Sequence, residues 1–241
     1  MSDVADPVAA AAQRQGCRGI AARGGIQLPQ LPSNLPQLDL ALLHDSDEFV
    51  QVSLSGDCSG QTASRLLLEQ CVLRRITLLN TRLDRLRASD CRLERCDLSG
   101  AQWEGARLQR AELRDCRLRG ANFSDARFED ATFTGCSADD AFFTGSVFQP
   151  VRFTQCSLRA ASFEGADLRG MVFDRCDLSG ANLTGAKLAG ADFRGSPLDG
   201  LTVAAASACP LILRVGTLGW ACVLGWLCWP WAIRQVSGPK N

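Results

Sequence analysis

The sequence has a single His, His44, and no Tyr. Chemistry that relies on imidazole as a base or as a recurring metal ligand therefore lacks its parts. Charge of one sign is also lacking: 26 basic residues face 26 acidic ones. That balance excludes a global basic footprint for nucleic acid and a polyanionic surface over the whole chain. The N-terminus, MSDVADPVAAAAQRQG, places Asp3 and Asp6 where a secretory signal carries Lys or Arg, and has no long apolar stretch. Export by a cleaved signal is not expected, and a reducing cytoplasm is the expected setting. His44 has no His or Cys near it in sequence and reads as an ordinary surface residue.

What is abundant is periodic. From Leu68 every fifth residue is apolar, through Leu73, Leu78 and Leu83 to Phe193, Leu198 and Val203, twenty-eight positions in all. Only Ala88 and Ala138 among them are small. The residue two before each is small or apolar, as at Ala101, Ala106, Ala111, Cys116 and Ala121. The residue two after is often Gly, as at Gly165, Gly170, Gly180 and Gly185. Neither the helical period of 3.6 nor the strand period of 2 fits. Two inward positions and a glycine corner fit one side of a square coil, since Gly permits the tight turn. Four such units close a coil, and coils stack by parallel ladders about 4.7–4.9 Å apart. Seven coils give a rod about 34 Å long at that spacing.

The segments ANFSDARF, ASFEGADLRG and CDLSGANLTGAKLAGADFRG carry a resemblance. They are similar to the Ala-Asp/Asn-Leu/Phe-x-x units of the pentapeptide-repeat family. The resemblance spans about residues 56–203 and implies a right-handed quadrilateral β-helix. The expected fold is thus an all-β solenoid of about seven to eight coils, with an apolar helix at the C-terminus as a further expectation. The family implies no single function.

A twenty-residue register tests the square coil from sequence alone. Cys96, Cys116, Cys136, Cys156 and Cys176 share one register, extended by Ile76 and Ser196. Cys71 and Cys91 begin a second column that Ala111 continues. Phe133, Phe153, Phe173 and Phe193 fall on one side, and Leu78, Leu98, Leu118, Leu158, Leu178 and Leu198 on another. Cys packs as a small hydrophobe, so the thiol column reads as core. Disulfides between rungs are disfavoured, because parallel Cβ vectors hold the Cβ atoms about 4.8 Å apart. A thiolate metal site would need buried thiols to ionise without a basic neighbour.

Surface charge is uneven. Residues 65–119 hold thirteen Arg against eight acids, whereas residues 120–200 hold seven basic residues against eleven acids. Arg87, Arg107 and Arg127 stack on one edge, and Asp125, Asp130, Asp139 and Asp140 cluster elsewhere. Cross-rung ion pairs on a solvated surface account for this pattern; a docking surface for a complementary partner is the functional reading. Phe142 and Val147 are expected to point outward.

Three regions follow. Residues 1–46 form an N-terminal arm and cap, with QLPQLPSNLPQL read as a flexible, polyproline-like stretch and Leu38–Leu43 as a helical turn over the first coil. Residues 47–203 form the β-helix. Residues 204–241 form an apolar C-terminal segment. Within it, Val215 to Ile233 is a 19-residue run without charge, bracketed by Arg214 and Arg234. As a helix it would span about 28 Å, close to a bilayer's hydrocarbon thickness. Trp226, Trp229 and Trp231 gather near one end, as interfacial Trp does. Gly216, Gly219, Gly225 and Pro230 weaken a helix in water and are tolerated in membranes. A membrane anchor, a cap on the last coil and an oligomer interface all remain open readings of this segment.

No residue is assigned as catalytic, cofactor-binding or metal-binding, and no cofactor is implied. Carboxylates recur because the repeat recurs, and Gly at five-residue spacing makes corners, not a phosphate loop. The expected protein is a non-enzymatic structural or interaction scaffold in the cytoplasm, with an unidentified protein partner and an open question of membrane contact through residues 215–233. The composition argues against nucleic acid and against a small-molecule substrate. The alternative is a DNA-mimicking modulator of a type II topoisomerase, an activity known for some members of the resembled family. It needs a predominantly acidic surface, which only the second half offers.

Overall fold

A computed structural model describes residues 25–204, together with the backbone of two short strands farther on. The period of five appears directly in the backbone. From Gly60 to Gly200 every fifth residue has positive φ, with one exception at Pro150, whose ring fixes φ near −65°. Each of these residues turns a corner, and four corners complete a coil. Gly fills many corners because it alone adopts the left-handed region without a Cβ penalty. Asp, Asn, Gln and Arg fill most of the rest, and Ala160 is the one apolar side chain held there, at φ 54°.

The strands are β1 (Gln37–Leu40), β2 (Glu48–Val50), β3 (Ser53–Gly56), β4 (Thr62–Ser64), β5 (Leu67–Glu69), β6 (Val72–Arg74) and β7 (Arg82–Asp84). Then follow β8 (Arg87–Glu94), β9 (Arg107–Arg114), β10 (Arg127–Thr134), β11 (Val147–Thr154) and β12 (Val172–Asp174). The main sheet runs β1-β3-β6-β8-β9-β10-β11-β12, with every pair parallel; β2 and β5 join it through β8, and β4 pairs β7. The ladder offset from β8 onward is twenty residues, as in Arg107↔Arg127 and Phe133↔Phe153. Isolated bridges such as Asp97↔Arg117 and Asn122↔Phe142 carry the same offset along the other faces. The chain is therefore an all-β parallel solenoid of about seven turns, each turn bonded to its neighbours.

The corners are braced by a recurring side-chain bond. Asp97 accepts from the Ser99 backbone N–H at 3.1 Å, and the pairs Asp57–Ser59, Asn122–Ser124, Asp177–Ser179 and Asn182–Thr184 repeat it. This two-residue reach of Asp and Asn is the turn chemistry that the repeat's polar positions supply.

Inside, the fifth-residue positions form one continuous core from Leu40 to Phe193. Stacked residues sit ring over ring: Phe133 and Phe153 at 4.3 Å, Phe173 and Phe193 at 4.8 Å, Phe143 and Phe163 at 5.0 Å between centroids. Burying each Phe stabilises the fold by roughly 1.5–3 kcal/mol before packing terms. The thiol column lies in this core with every Sγ buried. Leu replaces Phe toward the N-terminal end, and a small void of about 20 Å³ remains there among Leu40, Leu43, Leu68, Leu83 and Trp103.

The N-terminal end departs from the repeat and from two sequence expectations. Leu38–Leu43 does not form a helical turn. Gln37–Leu40 is a strand that pairs with Ser53–Gly56 at an offset of sixteen residues. The open ladder edge of the first coil offers backbone partners that a turn would leave unmet. Gly56 has φ 122°, and a Cβ there would meet the Leu40 carbonyl oxygen at 2.2 Å, so β1 can approach only glycine. Nor is the proline-rich stretch free of the rod over residues 25–36. Gln27 and Gln30 donate backbone N–H bonds to Asp130 and Asp90 at 3.2 and 3.0 Å.

At the other end, Leu211–Arg214 and Trp220–Val223 pair as antiparallel strands β13 and β14. Trp220–Val223 lies inside the run expected to be a helix, so that part is strand. The rest of the expected helix, and the expected arm over residues 1–24, lie outside the described residues. Among the described residues no helix is long and apolar enough to cross a membrane.

Candidate interaction surface

Outward positions stack in columns one coil apart, so their electrostatics are set by residues twenty apart. The expected cross-rung ion pairs are present: Arg74–Glu94 at 3.2 Å, Arg92–Glu112 at 2.6 Å and Arg117–Asp97 at 3.5 Å. Most are exposed, and each contributes about 0–1 kcal/mol. Glu112 differs. Its side chain is only 7% exposed and is held between Arg92 and Arg114. Arg92 also reaches Glu94 at 3.7 Å, so three arginines and two glutamates form one network on this face.

The stacked arginines appear as expected: Arg87 pairs in register with Arg107, and Arg107 with Arg127. Like charges directly across a ladder destabilise. Arg127 is relieved by Glu129 and by Gln149, which accepts from it at 2.9 Å. Phe142 is 48% exposed on the outer face, whereas Val147 is half-buried.

One corner column reads Gln70, Asp90, Arg110, Asp130. Arg110 grips Asp90 bidentately, with Nε to Oδ1 at 2.7 Å and Nη2 to Oδ2 at 2.5 Å. Hydrogen bonds from Arg110 hold the Asp90 carboxyl below the usual carboxylate range, against burial and with help from the Gln30 N–H. The arm runs down this same column. It bonds Asp130 through Gln27 and Asp90 through Gln30, and the Gln30 carbonyl accepts from Gln70 Nε2 at 3.3 Å. Asp130 to Asp90 is two rungs, about 9.6 Å. Three residues of polyproline-like chain span about 9.3 Å. The match in length explains why the contacts recur three residues apart, and it makes the arm a strap. Sequence reasoning missed it because residues 25–36 carry no charge, and their repeat, Gln-Leu-Pro at 27–29 and 30–32, has a period of three that bears no relation to the five-residue period of the rod.

The thiol column forms no surface. Four of the five Sγ–H groups lie within reach of a carbonyl oxygen of the preceding coil: Cys96 to Leu73 at 3.3 Å, Cys116 to Leu93 at 3.4 Å, Cys136 to Leu113 at 3.6 Å and Cys156 to Phe133 at 3.5 Å; Cys176 reaches the Asp174 carbonyl of its own coil at 3.6 Å. Ser196, at the top of the column, donates to Phe173 at 3.1 Å by the same geometry. Hydrogen bonding between neighbouring thiols splits them in alternation, pushing Cys96, Cys136 and Cys176 up and drawing Cys116 and Cys156 down, while burial opposes ionisation at every rung. The eight described cysteines are free and buried. Among the described residues no group of His, Cys, Asp or Glu is placed to hold a metal ion. His44 is exposed and lies 3.5 Å from Asp47, which also accepts its backbone N–H.

Comparison with known proteins agrees with this geometry. Residues 64–100 match the family described as pentapeptide repeats (8 copies), and residues 106–183 match the pentapeptide repeat region. Among solved structures, HetL from the cyanobacterium Nostoc, a pentapeptide repeat protein involved in heterocyst differentiation regulation, is similar at 20% identity. The match covers 73% of this chain and 90% of HetL, with a TM-score of 0.45. Full-length QnrB1, a plasmid-mediated fluoroquinolone resistance protein, is 20% identical over 69% of this chain and 93% of its own, with a TM-score of 0.34. No curated protein matches the chain. The corners, the twenty-residue register and the two matched stretches together place the chain in the pentapeptide-repeat family.

Proposed function

We propose that the chain is a non-enzymatic scaffold that docks a protein partner on the outer faces of its rod. One observation carries this reading: the fold separates its tasks. Inward positions make one uninterrupted apolar core, and outward positions present side chains in straight columns at a fixed rung. A partner meeting such a face reads a column of residues twenty apart.

The test is to replace one column at a time, for example Ser99, Arg119, Asp139 and Arg159, in the full chain. A partner found by proximity labelling in cells should be lost on changing one face and kept on changing the others, with unchanged melting. Loss of a partner from none of the four faces would count against docking on the rod.

The second reading is the topoisomerase modulator. The excess of acids in residues 120–200 is what favours it. Titrating the purified chain into a supercoiling reaction tests it. Inhibition abolished by D139K/D140K would support it, and activity unchanged at excess protein would remove it.

Location also belongs to this proposal: a cytoplasmic rod, with residues 215–233 in contact with the inner face of a membrane. The uncharged run and the three tryptophans gathered near its end, Trp226, Trp229 and Trp231, support the contact. Comparing the full chain with one ending at Gly200 in carbonate-washed membrane pellets decides it. Retention of the full chain alone supports a tether, and full solubility of both excludes it.

A further inference from the structure

Beyond any protein partner, we propose that the groove lined by Arg74, Arg75, Arg95 and Arg114 is a binding site for a small anion bearing two adjacent phosphoryl groups. The groove is open, with a volume of about 670 Å³, and Ser55, Glu94 and Asp115 complete its lining.

Its four guanidinium groups fall into two kinds. Arg74 and Arg114 are held by carboxylates, Arg74 by Glu94 at 3.2 Å and Arg114 by Glu112. Arg92 bridges the same two glutamates. This network fixes the walls and consumes the charge of Glu94 and Glu112. Arg75 and Arg95 form no ion pair among the described residues.

Arg75 and Arg95 also oppose the fold's own preferences. Both sit at corners with positive φ, 52° and 54°, where Gly stands elsewhere. They occupy adjacent rungs of one column, about 4.8 Å apart at the backbone, so their charges repel. Glycine would relieve the strain and the repulsion together. An anion bridging the two relieves the repulsion and uses both forks, since guanidinium groups bind phosphoryl oxygens bidentately. Two rungs present two forks, which suits neighbouring phosphoryl groups better than a single carboxylate. Asp115, one rung beyond Arg95 in the same column, ends the basic run and confines the anion to the two arginines. The groove is open to solvent, so the rest of the ligand stays in water.

The molecule supplies its own control. Arg65 and Arg85 form another stacked corner pair with the same left-handed backbone, φ 60° and 58°, on an edge that lines no part of this groove.

Calorimetric titration of the full chain with inorganic pyrophosphate, at moderate salt, tests the site. Wild type should bind, R75A/R95A should lose at least about tenfold in affinity, and R65A/R85A should stay within about twofold. Melting curves establish that both variants are folded, and R75K/R95K, which keeps charge without the fork, should recover only part of the affinity. Equal loss in the two alanine pairs would reduce the effect to net charge and overturn the proposal. So would absence of pyrophosphate binding by wild type. A phosphoserine peptide that binds through Arg75 and Arg95 where pyrophosphate does not would assign the groove to protein recognition instead, which also overturns it.

Discussion

Two adjacent corners allow the backbone account to be tested with opposite signs. Ala160 and Gly165 both turn corners, at φ 54° and 65°. Both are exposed, and a Cβ on Gly165 would meet nothing within 4 Å. Substitution at either site therefore changes backbone preference and little else. Holding an L-residue in the left-handed region costs roughly 1–2 kcal/mol. Gly loses more chain entropy on folding, which returns about 0.4–1 kcal/mol of that. The net for Ala160→Gly is a gain of about 0.5–1 kcal/mol, and for Gly165→Ala a loss of the same size. Each kcal/mol moves the melting point by about 2–4 °C for a chain of this length. Thermal and urea melts followed by circular dichroism should shift up for the first variant and down for the second. A drop for Ala160→Gly, or a rise for Gly165→Ala, would refute the assignment of these residues as left-handed corners.

Three other outcomes follow from the same geometry. Glu112→Ala strips a buried carboxylate from Arg92 and Arg114 and should cost about 1–3 kcal/mol in urea melts, whereas Glu164→Ala on the exposed surface should cost under about 0.5 kcal/mol. The thiols of Cys96, Cys116, Cys136, Cys156 and Cys176 are all buried. Native-state thiol labelling of the column should be slow and should reach completion only after unfolding; rapid labelling of all five would contradict the packing. Asp90→Ala removes the acceptor for the Gln30 N–H and the partner of Arg110, so protease should cut within residues 25–36 faster than in wild type, with the coils left intact.

Much of this was readable in the sequence, and the reason is translational symmetry. A coil that repeats every twenty residues turns sequence spacing into spatial adjacency, so the column from Cys96 to Cys176 and the pair Arg92–Glu112 follow from counting. Corner positions were legible wherever Gly marked them, and less so where Arg or Asp took the left-handed backbone. The rule failed where symmetry fails. The step from β1 to β3 is sixteen residues and from β3 to β6 nineteen, as Gln37↔Ser53 and Ser53↔Val72 show. A period of twenty cannot place such strands, and Leu38–Leu43 read as a turn for that reason. The strap over Asp90 and Asp130 depends on backbone N–H groups, which every residue but Pro carries, so no side chain announced it. Counting also puts Arg75 and Arg95 in one column, but not that they line an open groove whose other arginines, Arg74 and Arg114, are held by carboxylates.

The central claim is that outward residues twenty apart rise by one rung. Spin labels on ketone-bearing residues avoid the native thiols and can be placed at 199 with 79, 99 or 119, all in one column. Dipolar distance measurements should give backbone separations of about 29, 24 and 19 Å, a constant step of about 4.8 Å per twenty residues. Distances that do not step evenly down the column, or that broaden into a wide distribution, would contradict the stacked coil and every surface derived from it.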